Sequence, residues 1–122
     1  MDRKDIATSF LRLATSGRVR EAYEKYVHPE FRHHNPYFGG DAASLRAGME
    51  DNAAQFPSKA FEIQRVLGEG DLVAVHSRVQ LGPDMPEMAV VHIFRFDGDR
   101  IIELWDVAQQ VPPQNPNANG MF

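Results

Sequence analysis

The chain has 122 residues, 43% of them hydrophobic and 25% charged, and a formal net charge of −4, the balance of one globular domain rather than a disordered segment. That acidic balance argues against nucleic acid, which selects a basic stripe, and against an anionic membrane surface. With no cysteine, disulfides, thiolate nucleophiles and thiolate metal sites are excluded.

Met1-Asp-Arg-Lys-Asp5 lacks the apolar core of a signal peptide, and no apolar run approaches the roughly 20 residues of a membrane span, so the expected location is cytoplasmic. Residues 2–16 read as a helix, with Ile6, Phe10, Leu13 and Ala14 at helical spacing and Gly17 as the stop. A second helix is predicted over about 18–27, carrying Val19, Ala22, Tyr23, Tyr26 and Val27 on one stripe, and Pro29 ends it. Residues 28–40 read as a loop or short irregular strand. Asp41 is an N-cap candidate for a third helix running to about Phe56, with Leu45, Met49, Asn52, Ala53 and Phe56 inward.

After residue 59 the period becomes two, with Phe61, Ile63, Arg65 and Leu67 alternating against Glu62, Gln64 and Val66. Gly68-Glu-Gly70 is a turn signal, and residues 72–81, 87–96 and 101–109 read as three further strands. Gly82-Pro-Asp84 and Asp97-Gly-Asp99 separate them. Helices first and strands second is an α+β order. The domain is expected over 1–110, and 111–122 is a Pro/Asn-rich irregular tail. Its apolar end, Met121-Phe122, suggests docking at a pocket mouth or on a second subunit.

His92 and Asp106 are the main candidates for chemistry. With a three-residue loop at Gly98–Arg100 and Asp97 paired to Ile101, facing residues sum to 198 and His92 lies opposite Asp106. Their face also carries Phe94, Phe96, Ile102 and Leu104. A carboxylate at the end of an oily face is shifted upward by burial and downward by a neighbouring imidazolium, which suits a general acid or base near neutral pH. The same pair is equally compatible with a surface contact at a sheet end, and a two-residue turn would shift the partner by one. His76, in line with Leu72 and Ala74, is placed to join His92 across the sheet or to sit as a satisfied core histidine. Of His33 and His34, at most one reaches a pocket, and His34 with Asn35 is the preferred pair. These side chains include enough ligand types for zinc or iron, but no His-x-His or His-x-Glu-x-x-His spacing assembles them, so no metal is expected. Glu103 and Trp105, with Arg95 and Val91, fall on the opposite sheet face, which suits a dimer interface or helix packing. No nucleophile elbow, P-loop or dinucleotide-binding glycine pattern occurs.

The run from His92 through Arg95, Gly98, Glu103 and Trp105-Asp106 to Val107 resembles the last hairpin of SnoaL-like polyketide cyclases of the NTF2-like superfamily. So do Tyr26–Pro36 and Gly70–His76, and the similarity extends from about residue 5 to 110. In that family a strand histidine faces the aspartate of a Glu-x-Trp-Asp segment, and the aspartate is the acid/base. Here those positions are His92 and Asp106. The resemblance implies three helices packed on a strongly curved antiparallel sheet, forming an NTF2-like cone around a pocket for a small apolar molecule. It also implies no cofactor and a homodimer. His76, His34, Asn35, Phe94 and Leu104 become the expected substrate-binding residues beside catalytic Asp106 and His92. The implied chemistry is aldol condensation, cyclisation or isomerisation next to a ketone. Dehydration or hydration on the same scaffold, and a non-catalytic binding module, are the alternatives, since this superfamily hosts several activities. His76 and the His33–Asn35 cluster make the expected pocket richer in histidine than the family pattern.

Overall fold

A computed structural model describes residues 1–122. Chain order is α1 (Arg3–Thr15), α2 (Val19–Tyr26), β1 (Val27–His33), α3 (Ala42–Gln55), β2 (Ala60–Glu69), β3 (Leu72–Gln80), β4 (Glu87–Asp97) and β5 (Arg100–Gln110). No helix is long and apolar enough to cross a membrane.

α1 begins with a full capping box, in which Asp2 and Asp5 each accept from the other's backbone N–H, satisfying donors that the first turn leaves unpaired. Its Ile6, Ala7, Phe10, Leu11 and Ala14 are buried, and Gly17 follows at φ +89°, a left-handed value that glycine takes without steric cost. Asp41 caps α3 by accepting from the Ser44 backbone N–H at 3.0 Å. The predicted second helix stops one residue early. Val27 is already extended, at φ −95° and ψ 132°, because Pro29 cannot supply an amide to a continuing helix. The segment expected to be irregular then splits into β1 and a loop over 34–41.

The five strands form one open sheet in the order β1-β5-β4-β3-β2. β2 to β5 make an antiparallel meander, as expected, but β1 adds to β5 in parallel, with Arg32 opposite Glu103 and His33 opposite Leu104. The sheet is therefore mixed, not wholly antiparallel. Its parallel edge requires the long crossover through α3 and three strands. The turns are also tighter than expected. β2 runs through Gly68 to Glu69 and turns at Gly70-Asp71, while β4 and β5 turn at Gly98-Asp99. Gly70 and Gly98 both have φ +59°, as the first central residue of a type II′ hairpin needs.

The two-residue turn pairs Asp97 with Arg100 and Phe96 with Ile101, and a bulge then restores His92 opposite Asp106. The expected pairing holds by a different route: Ile102 is the extra residue, and Ile101, rather than Ile102, joins the core face. The core lies between the helices and this face. Phe10 packs edge-on to Phe94 at 5.8 Å and tilted to Tyr23 at 5.5 Å, and Val73, Val75, Phe96, Ile101 and Leu104 complete it. Truncating a buried phenylalanine here should cost about 3–5 kcal/mol.

The other sheet face is free of helices. After Gln110 the chain is irregular, and its end returns to this face of its own sheet. The Phe122 ring stacks on His76 at 6.2 Å and lies under the Arg78 guanidinium at 4.6 Å.

Candidate functional site

Successive pairs along the inner face of the β4–β5 hairpin change character. Phe94 and Leu104 are 0% and 2% exposed and belong to the solid core. One pair further, His92 and Asp106 border a cavity of about 290 Å³, which Val90, Ala108 and Met88 continue. Leu11, Ala14, Leu45, Met49 and Phe61 wall it from the helices and β2, and eleven of its eighteen lining residues are hydrophobic. His92 and Asp106 thus stand where the packed core gives way to open space. The volume lies just below the range of about 300–1,000 Å³ for ligand clefts.

Asp106 is held by a single side-chain bond, from Asn35 Nδ2 to its Oδ2 at 2.9 Å. Asn35 reaches it because β1 runs parallel beside β5: His34 continues the ladder by donating its backbone N–H to the Leu104 carbonyl at 3.0 Å. His33 fixes the turn that follows. Its Nδ1 accepts from the Asn35 backbone N–H at 3.1 Å while its Nε2 meets the Gly39 carbonyl, so a ring protonated on Nε2 alone satisfies both. His92 is different. Its Nδ1 is buried without any hydrogen-bond partner, and the ring stacks on Phe94 at 6.1 Å. Burial pushes its pKa down to about 4, against the pull of the Asp106 charge. At neutral pH it is a neutral imidazole with unused hydrogen-bonding capacity next to a carboxylate.

Of the expected site residues, His92, Asp106 and Asn35 come together at the cavity. Phe94 and Leu104 do not line it and instead form the packed layer beneath. His34 points the other way. The strand alternation that buries Phe31 and His33 turns Arg32 and His34 outward, where His34 stacks on Trp105 at 5.1 Å and its Nε2 meets Glu103 Oε2 at 2.6 Å. His76 is also on the outer face. It is Val75 that sits opposite His92, and the His76 ring receives Arg65 and stacks on Phe122. No three histidine, aspartate or glutamate side chains converge as metal ligands.

Four lining residues lay outside the sequence expectation as functional groups. Phe38 leans over α3 at Gly48, where any Cβ would clash with the edge of its ring. Thr15 borders the cavity from the end of α1. Lys59 and Asn52 line it too, with Lys59 Nζ donating to Asn52 Oδ1. The one available signal was the inward position of Asn52 on the third helix.

The model of the SnoaL-like domain matches residues 7–104, ending two residues before Asp106. The "Probable cyclase otaY" of Aspergillus niger is 30% identical over 103 residues, covering 84% of this chain and 87% of that protein. AclR, a candidate hydroxylase from Streptomyces galilaeus, superposes with a TM-score of 0.75 at 20% identity, over 88% of each chain. A candidate polyketide cyclase from Acidithiobacillus ferrooxidans does so at 0.73 and 23% identity, again over 88% of each.

Proposed function

For this chain, which belongs to the SnoaL-like domain family and shares its fold with NTF2-like proteins, we propose a cyclase-type enzyme that removes a proton next to a ketone in a small apolar substrate. The observation that carries this reading is the Asp106 carboxylate at the inner end of an apolar cavity, tethered by one neutral donor and bordered by a neutral imidazole. The similarity to a relative named as a cyclase supports it.

In this reading Asp106 takes the α-proton, and the C–H electron pair becomes an enolate. Asn35 keeps the carboxylate aimed, so little orientation has to be found in the transition state. His92, with its proton on Nε2, the ring nitrogen that is not sealed off from the cavity, donates to the enolate oxygen, and the apolar walls strengthen that bond. The enolate carbon then attacks a second carbonyl, forming the new C–C bond, and Asp106 returns the proton to the resulting alkoxide. Protons and electrons balance without an oxidant or a cofactor.

The test uses α-tetralone, a bicyclic aryl ketone, in deuterium oxide. Deuterium entering the carbon next to the carbonyl is followed by NMR. The expected outcome is wash-in faster than buffer alone with the native protein and near the buffer rate with Asp106→Asn. Equal rates for the two proteins would remove Asp106 from the chemistry.

A further inference from the structure

The cavity has a second polar end. Among its lining residues Lys59 is the only lysine or arginine, and Asp106 the only carboxylate. The two do not form an ion pair, and Lys59 has no acidic partner at all: its one side-chain bond goes to the neutral Asn52 amide. Buried and half-buried charges are ordinarily paired, and here burial alone acts on Lys59, pushing its pKa below the usual lysine value. The nearby carboxylates do not balance it: Asp106 is engaged with Asn35, and Glu62, which shares the outer groove, makes no ion pair with it.

Lys59 also stands at an opening. Together with Thr15 and Phe61 it lines both the inner cavity and an outer groove of about 480 Å³ between α1 and β2. A ligand anion at Lys59 would keep part of its hydration there. At the other end the Asp106 charge would repel it. The electrostatics therefore favour one orientation of a ligand that is apolar in the middle and acidic at one tip.

We propose that Lys59, supported by Asn52, is a carboxylate-binding residue, and that the ligand of this pocket is an apolar keto acid whose carboxylate sits at Lys59 while its reacting carbon lies at Asp106. This deepens the cyclase-type reading and rests on the same cavity.

The test compares naphthoate with naphthamide, which share a shape and differ in charge, by NMR titration at pH 7.5. The native protein is expected to bind naphthoate about tenfold or more tightly, as a charge-assisted bond implies. Lys59→Gln, which can still bond Asn52, and Lys59→Met should bind both ligands equally. Lys59→Arg should retain part of the preference. Equal binding by the native protein, or a preference that survives in Lys59→Gln, overturns the proposal. Binding of neither ligand overturns the cavity as a ligand site and this proposal with it. A retained preference alongside a native protein inert towards α-tetralone removes only the catalytic reading.

Discussion

The two faces of the β4–β5 hairpin each carry a carboxylate beside a histidine, and they treat them in opposite ways. On the outer face Glu103 is 4% exposed and holds three partners: Arg32 at 3.0 Å, Arg95 at 2.8 Å and His34 at 2.6 Å. The Arg32 bond, then those of His34 and Arg95, keep its pKa down at about 2. These side chains, rather than the protein's depth, cover it. On the inner face Asp106 has one neutral partner and His92 none at Nδ1. A saturated carboxylate is pinned in one charge state and ties strands together. An undersatisfied one beside open space retains the capacity to exchange a proton. By partners alone, the outer cluster is tied down, and the inner pair is the one left free for the chemistry proposed above.

The largest effect that tests this contrast is on turnover. Asp106→Asn should lower α-proton exchange by about 10²–10⁴-fold, the usual worth of a positioned general base. Glu103→Gln should leave exchange within a few-fold. If the two variants lost activity equally, the two faces would not be functionally distinct.

The next effect is on stability against pH. A histidine whose folded pKa lies near 4 and whose unfolded value lies near 6.5 binds its proton preferentially in the unfolded state between those limits. Its contribution is complete above about pH 6.5 and is lost as pH falls towards 4. Between pH 7.5 and 4.5 this should remove about 2–3 kcal/mol, measured by urea denaturation at both values. His92→Phe should be missing that part of the slope. Glu103 follows the same direction in a more acidic window, with its stabilisation present above about pH 4.5 and lost as pH falls towards 2. Because Arg32 is mostly exposed, Glu103→Gln should cost only about 1–2 kcal/mol at pH 7. A Glu103→Gln protein as stable as the native one would show that the outer cluster does not tie the strands.

How much of this was legible in the sequence follows from how local each feature is. The His92–Asp106 pairing could be read because a hairpin register depends on nearby residues, although a two-residue turn with a bulge mimics a three-residue loop in the sum of facing positions. The phase of β3 could not be read. Leu72, Ala74 and His76 alternate with Val73, Val75 and Ser77, and both rows look apolar, so only packing against Phe94 decides which is inward. The parallel placement of β1 depends on a partner about seventy residues away, and with it went the outward position of His34. Lys59 lies between helix and strand, where no periodicity says which way a side chain points. The helices, the Asp41 cap and the antiparallel meander were visible because capping and alternation are short-range.

The smallest expected effect is the most discriminating, because it concerns the one bond that Asp106 does have. Asn35 reaches the carboxylate from a turn braced by His33, so in the proposed reaction its amide would orient the base without touching the transferred proton. Removing it in Asn35→Ala should lower exchange by about tenfold, close to 1.4 kcal/mol in barrier, and should lower kcat more than it raises KM, since binding is carried by the apolar walls. Asn35→Asp should do worse than alanine at neutral pH. It places a second negative charge against Asp106, which raises the pKa of the pair and moves the pH profile upward, a change that a merely structural loss would not produce. If Asn35→Ala and Asn35→Asp gave the same pH profile as the native protein, Asn35 would be a brace for the loop and no more. The inner face would then owe its reactivity to Asp106 and His92 alone.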